Sequence, residues 1–519
     1  MSQLLALPAE LLDEIMGYTL PDGLESLVLS CKKIYSVAKD HIHTHELYKR
    51  RWRSFRYAHG EMDHSIKVPV ELLLAIANDP LVARYIQTAN LWHKTQDDDS
   101  FVESTERVLD NDTSVAAIRS LLNQSHYLRQ AKQDPSRWLA NMRNKDDDQD
   151  RRYWANLCTT ILLTLLPDLR ELTLPREWRH LPDPRDSDDA SDSGFAKELW
   201  SVLDLIPKEV TSASCSLTSL SKLRSVLPYG NINYDDKNAL EELSPFLSLD
   251  SLEELHASNC VAVDDDFTGY PFHWRYSGRL SNLRTIELAG CCIDSEGIAA
   301  LVAHTPKLET LKYSHATKWH GCQYDWSAGE FVSMIAQHCG TTLKELAVTI
   351  DYLSGMIETG VVSMQAFQCL ESVELDILIF AGPPAESGKR QGLDTEDYKV
   401  DISQIPRLTD ILPQTIKHVK LFVPSDTGDA DSNIEFDILA SLFRQYATQQ
   451  SLCQPDLVGL SIGFEHAYDW GDEVRRTFDA HTDSHELIPL LDQWQADSVV
   501  NDGLTWAEDF RKRYDITKD

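Results

Sequence analysis

A short phrase that recurs along the chain constrains the fold more than any other feature of the sequence. From residue 223 onward its copies begin between 25 and 46 residues apart. Self-similarity at periods of about 20–50 residues is the signature of repeat architectures, in which each unit packs on its neighbours. The nine copies read apolar-x-x-apolar-x-apolar, or close to it: "LRELTL" (169–174), "LRSVLP" (223–228), "LEELHA" (252–257), "LRTIEL" (283–288), "LETLKY" (308–313), "LKELAV" (343–348), "LESVEL" (370–375), "IKHVKL" (416–421) and "LVGLSI" (457–462).

Segments with helical periodicity lie between these phrases. Three show apolar stripes at a period near 3.6: "SEGIAALVAHTPK" (295–307), "SAGEFVSMIAQHCG" (327–340) and "IEFDILASLFRQYA" (434–447). A strand followed by a helix in each unit predicts an α/β fold, an irregular horseshoe with parallel strands inside and helices outside. "YIQTANLW" (85–92) reads as a divergent earlier copy. The alternative is a generic α/β protein, because the spacing is imperfect.

The beginning of the sequence has a different pattern. "LPAELLDEIMGYTLPDGLESLVLSCKKIYSVA" (7–38) predicts three short amphipathic helices, with a turn at "LPDG" (20–23). So small a unit buries little apolar surface and usually needs a partner or a neighbouring domain. The three apolar stripes are Leu11, Leu12, Ile15 and Met16; Leu24, Leu27, Val28 and Cys31; and Ile34, Tyr35, Ala38 and Ile42.

This order of residues resembles the F-box, the helical module that binds the Skp-type adaptor of cullin–RING ubiquitin ligases. Helix one ends in "GYTLPDG" (17–23), a departure from the family's commoner Leu-Pro turn, and Tyr35 stands near the family's usual aromatic residue. The alternative is an ordinary helical cap on the following domain. The resemblance implies that the adaptor is contacted by Leu7, Pro8, Leu11, Ile15, Leu24 and Leu27. Some of these residues must instead hold the three helices together.

An F-box followed by leucine-rich repeats resembles the F-box/leucine-rich-repeat substrate receptors, and the long, acidic, irregular repeats are similar to fungal members of that family. The predicted domains are an F-box at 1–48, a helical linker with a divergent repeat at 49–160, a leucine-rich-repeat solenoid at 161–480 and a C-terminal helical cap at 481–519. In the linker, Trp52 and Phe55 are predicted to pack inward from a helix.

The residues between the apolar positions of each phrase are predicted to face the concave surface of the solenoid. Among these, His256, Glu287 and Lys312 are candidates for substrate binding. Two aromatic-rich loops, 264–279 and 314–327, follow strand phrases and would meet on one rim. The alternative is that their rings fold back onto the solenoid. The candidates on these loops are Phe272, Trp274, Tyr276, Trp319, Tyr324 and Trp326.

Composition narrows the class of protein. A formal net charge of −33 argues against a general nucleic-acid binder, which needs basic surface to neutralise phosphates. The absence of a signal-peptide pattern and of a long apolar run predicts an intracellular protein, cytoplasmic or nuclear, without membrane contact. The ten cysteines are then expected to be free thiols.

Chemistry-bearing motifs are missing from the sequence. It has no phosphate loop, GxSxG elbow or HExxH motif, and nothing distinguishes a nucleophile among its cysteines, Cys291 and Cys292 included. His315, His320, Cys322 and Cys339 match no known zinc spacing, so no metal or cofactor is predicted. We therefore expect a non-catalytic substrate receptor that reaches a cullin through the adaptor and binds an unknown protein. The alternative is a leucine-rich-repeat scaffold without a ligase role.

Overall fold

The computed structural model divides the chain into two compact units. The first is Met1–Tyr229 with Leu249–Leu252, and the second is Gly230–Ser248 with Glu253–Asp519. These units do not follow the predicted domain boundaries, which stay predictions. The structure describes residues 4–58, 66–92, 99–143, 148–176, 178, 192–210, 218–232, 237–265, 270–318, 324–381, 403, 405–423, 434–464 and 505–517.

The described part of the first unit is mainly helical and has four short strands. Its helices are α1 (Ala9–Tyr18), α2 (Leu24–Val28), α3 (Lys32–Val37), α4 (Lys39–Trp52), α5 (Pro69–Asn78), α6 (Leu81–Tyr85), α7 (Asp99–Leu109), α8 (Asp112–Gln124), α9 (His126–Gln130), α10 (Pro135–Arg143), α11 (Asp148–Leu163), α12 (Asp192–Leu203) and α13 (Leu205–Val210). Its strands are β1 (Ser54–Arg56), β2 (Thr88–Asn90), β3 (Glu171–Thr173) and β4 (Ser225–Leu227). They pair in parallel in that order.

The second unit carries the longer strands. They are β5 (Asn238–Ala239), β6 (Glu254–Ser258), β7 (Cys260–Ala262), β8 (Thr285–Ile293), β9 (Thr310–Ala316), β10 (Glu345–Tyr352), β11 (Ser372–Asp376), β12 (His418–Val423) and β13 (Gly459–Phe464). The helices are α14 (Ser244–Leu247), α15 (Ser295–Val302), α16 (Ala328–Cys339), α17 (Leu408–Ile411), α18 (Ile434–Leu442), α19 (Tyr446–Cys453) and α20 (Trp506–Tyr514). The described part of this unit also has two 3-10 turns, Leu240–Leu243 and Ile377–Phe380.

A row of parallel strands in the order β6-β8-β9-β10-β11-β12-β13 organises the second unit, and β5 pairs with β7, which pairs with β8. Side chains alternate between the two faces of each strand. One face is apolar and buried, and α16 packs on it: Phe331 lies with its ring centroid 4.5 Å from that of Tyr313 on β9. The register aligns the apolar positions of successive phrases as Leu255, Ile286, Leu311, Leu346, Val373, Val419 and Leu460.

The α/β class with parallel strands is confirmed. Each of the nine phrases contains the start of one strand, and β2 lies within the divergent copy at 85–92. The three segments predicted to be helical contain α15, α16 and α18. Trp52 and Phe55 are buried as predicted, but Phe55 lies on β1 rather than on a linker helix. No helix among the described residues is long and apolar enough to cross a membrane.

Candidate functional site

The first helix has two apolar stripes, and only one is buried. Leu12 and Met16, four residues apart, face the interior with exposures of 2% and 1%. Leu11, Ile15 and Tyr18 follow one another at helical spacing on a different side. Leu11 is 46% exposed, Tyr18 is 79% exposed and Ile15 is half-buried. This second stripe, called the α1 stripe below, has no partner inside the described helices that buries it.

The remaining residues predicted to contact an adaptor divide between surface and interior. Leu24 is 1% exposed and packs among the helices, the alternative that the sequence left open for some of these residues. Pro8 is exposed, and Leu7 and Leu27 are half-buried. Leu29, which the sequence did not single out, is 82% exposed. Tyr35 is also exposed, whereas Ile34 and Ala38 from the same predicted stripe are buried.

The second unit aligns polar side chains on the face opposite the apolar one. This surface is called the polar face below. The register of the strands aligns these side chains in two rows. One row is Glu254, Thr285, Thr310, Glu345, Ser372 and His418. The other is His256, Glu287, Lys312, Ala347, Glu374, Lys420 and Ser461. The predicted outward positions of the phrases therefore share one surface.

Charges on the polar face are paired with one another. The ring of His256 lies 2.7 Å from the Glu287 carboxylate, Lys312 Nζ lies 2.8 Å from Glu345, and Lys420 Nζ lies 3.4 Å from Glu374. Burial raises the pKa of Glu287, but the hydrogen bond from His256 and the charge of Arg513 outweigh it, so the pKa is lowered overall. Burial raises the pKa of Glu374 despite Lys420.

The C-terminal helix α20 lies across part of the polar face. Its Trp506 indole N–H donates to Thr349 Oγ1 at 3.0 Å, and its Trp506 and Phe510 rings pack in one cluster with Ala289 and Ala347. Arg511 lies 2.9 Å from Asp351. The helix thus occupies the faces of β8 and β10, within the segment predicted to be a C-terminal helical cap.

The far end of α20 covers two of the predicted substrate-binding residues. Arg513 lies 2.8 Å from Glu287, and the Tyr514 ring centroid lies 5.6 Å from that of His256. His256 and Glu287 are buried. Lys312 is the candidate on the strands that stays partly exposed.

Beyond the helix, the polar face forms a groove of about 560 Å³ over β9–β13. Its charged lining combines Lys312, Glu345, Glu374 and Lys420, with His418 beside them. Glu374 connects the groove with the C-terminal helix, because its Oε1 accepts the Trp506 backbone N–H at 2.7 Å. The groove is suited to a polar chain segment that offers both donors and acceptors.

The first aromatic loop packs back onto the fold. Phe272 and Tyr276 are buried. Trp274 stacks on His304 with ring centroids 4.6 Å apart, and its indole N–H donates to the Arg279 carbonyl. The arrangement matches the alternative in which these rings cover the repeats.

The second aromatic loop behaves similarly. Trp326 is fully buried and stacks on His315 at 4.3 Å. Tyr324 is half-buried, and its ring centroid lies 6.3 Å from that of His315. Trp319, like His320 and Cys322, lies outside the described residues. The described rings of the two loops stack on different histidines, Trp274 on His304 and Trp326 on His315.

Four described thiols of the second unit are buried, whereas Cys369 is exposed; the buried ones are Cys260, Cys291, Cys292 and Cys339. Burial raises the pKa of Cys292 to about 12 and that of Cys339 to about 11, which disfavours the reactive thiolate form.

In the described part of the chain, one group has three side chains close enough for a metal: Glu25, His45 and Glu46. Lys49 lies 2.6 Å from Glu25 and supplies a positive charge there already.

Sequence reasoning missed α20 as part of this surface. The pattern "TWAEDFRKRY" (505–514) does carry a signal, since Trp506 and Phe510 lie four residues apart and a basic run follows. The pattern does not predict which surface the two rings pack against.

No protein-family model matches this sequence, and no curated protein matches it significantly.

Proposed function

We propose that this protein is the substrate-recognition subunit of a Skp–cullin–F-box ubiquitin ligase. In this proposal the N-terminal helices are an F-box that binds the Skp-type adaptor, and the strand–helix units are leucine-rich repeats whose polar face binds a protein substrate. The chemistry of ubiquitin transfer belongs to other subunits. The receptor contributes proximity, which raises the effective concentration of the reacting groups.

The observation that carries the proposal is the α1 stripe. Leu11, Ile15 and Tyr18 expose apolar surface on a helix whose opposite stripe already forms the core. Clustered exposed apolar side chains mark protein-interaction sites, whereas isolated ones need no explanation. Leu29, which directly follows α2, and Tyr35 on α3 are also exposed. In our proposal, the α1 stripe binds an apolar groove on the adaptor.

The polar face supports the second half of the proposal. Its aligned rows of mixed charge extend over seven strands, and repeat proteins use such surfaces for recognition. This observation alone fits a scaffold without a ligase role equally well. The adaptor test therefore decides between the two.

The test is co-purification of the full chain with a purified Skp-type adaptor. We expect the unaltered chain to retain the adaptor and a Leu11→Glu/Tyr18→Glu variant to lose it at least ten-fold, because both side chains are exposed and the charges would be desolvated in the interface. Leu452→Glu, at an exposed leucine of the second unit, is the matched control and should retain the adaptor. If the unaltered chain fails to bind the adaptor, the ligase proposal is wrong and the scaffold without a ligase role is favoured.

A further inference from the structure

We propose that the polar face is a helix-binding site and that α20 is its intramolecular ligand, which a partner helix of the same pattern displaces. The inference rests on the proposed function in one respect, namely that the polar face receives the substrate. It adds the kind of segment that the face recognises: an amphipathic helix with two aromatic residues four apart, followed by two arginines.

The face provides room for the rings. Trp506 and Phe510 pack in one cluster with Ala289 and Ala347, two positions on the strands that carry only a methyl group. On the next strand the residue in register with Ala347 is Glu374, which accepts the first backbone N–H of the helix. Small residues under the rings and acceptors around them form a site shaped for this helix.

The acidic residues of the face match the basic residues of the helix. Asp351 and Glu287 receive Arg511 and Arg513 at 2.9 and 2.8 Å. Arg513 also lies over the rings of Phe510 and Tyr514, at 5.7 and 4.9 Å from their centroids. The rings of Phe510 and Tyr514 therefore hold the Arg513 guanidinium in position to bind Glu287. A partner helix with the same pattern would make the same contacts.

Each carboxylate keeps a partner on the sheet when the helix leaves. Glu287 retains His256 at 2.7 Å, and Asp351 retains the Ser314 hydroxyl at 2.6 Å. Glu374 retains Lys420 at 3.4 Å. Removing one partner of a buried charge is most costly when that charge is left without any partner. None of these three carboxylates is left alone when the helix leaves. The face is thus built to exist in both an occupied and an open state.

The experiment uses the full chain and a fluorescent synthetic peptide of residues 505–517. We expect the peptide to bind a Trp506→Ala/Phe510→Ala chain at least ten-fold more tightly than the unaltered chain, because the variant's own helix no longer competes. A chain with Lys512→Ala, an exposed residue of the same helix, should behave like the unaltered chain. A peptide with Arg511→Glu/Arg513→Glu should fail to bind. Equal binding by the variant and the unaltered chain, or no binding by either, would overturn the proposal.

Amide hydrogen exchange on the unaltered chain keeps the proposal testable if the double variant does not fold. Amides of α20 are expected to exchange faster than those of β8 and β10, because the helix opens as a unit before the sheet does. Exchange of all three at one rate would make the helix a permanent part of the core and refute displacement. Adaptor retention by the Trp506→Ala/Phe510→Ala chain separates this failure from failure of the proposed function, since the α1 stripe is unaltered.

Discussion

At the scale of single residues, a neutral histidine lies at the centre of the aromatic cluster on β9. The His315 ring stacks on Trp326, and its Nδ1 lies 2.9 Å from the Tyr313 hydroxyl. That hydroxyl donates to the Cys291 carbonyl and accepts the Ile293 N–H, so His315 Nδ1–H is the donor to it. Burial, assisted by the positive charge of Lys237, lowers the pKa of His315 to about 3.

This histidine makes stability depend on pH. The unfolded chain binds a proton at His315 below a pKa of about 6.5, and the folded chain does not until about 3. The contribution of neutral His315 to the free energy of unfolding is therefore fully present above pH 6.5. It is lost as the pH falls toward 3, by up to about 1.4 kcal/mol per pH unit. Urea titrations between pH 7 and 4.5 measure this slope. In a His315→Gln chain the slope should be smaller by that amount, and identical slopes would contradict the assignment.

At the scale of elements, the start of α16 packs closely against the connection at Thr359 and Gly360. Gly329 in the first turn donates its N–H to the Thr359 carbonyl at 2.8 Å. A Cβ at this position would lie 2.3 Å from the Gly360 carbonyl oxygen, closer than any real contact. Only a glycine lets the helix approach the next connection this closely.

Gly329→Ala should therefore destabilise the second unit by about 1–3 kcal/mol, the usual cost of overpacking. Chemical denaturation followed by circular dichroism measures the change. Gly17→Ala in α1 is the matched control: its Cβ would lie 3.7 Å from His41, and alanine's higher helix propensity should leave stability unchanged or raise it by up to about 1 kcal/mol. Equal effects of the two substitutions would show that the contact at Gly360 is unimportant.

Local patterns predicted the elements because period and side-chain type decide them. The phrase "LKELAV" (343–348) already contains the alternation that orients Leu346 and Ala347 to opposite faces of β10. Tertiary partners were not predictable in the same way. Leu24 and Leu27 look alike in the sequence, yet one is buried and the other half-exposed, because the packing angle of three short helices decides between them. The contact of Arg513 with Glu287 spans 226 residues.

At the scale of the whole molecule, the two proposed binding surfaces belong to different compact units. The α1 stripe lies in the first unit, and the polar face with α20 lies in the second. Substitutions on one surface should therefore leave binding at the other unchanged, since sites that share no partner residues are usually independent.

The central claim is that the N-terminal helices bind a Skp-type adaptor. Hydrogen exchange of the full chain, with and without the purified adaptor, tests it most directly. We expect the adaptor to slow amide exchange in residues 7–29 and to leave the polar-face strands β8–β13 unaffected. Unchanged exchange at 7–29 under saturating adaptor, or protection confined to the polar face, would contradict it.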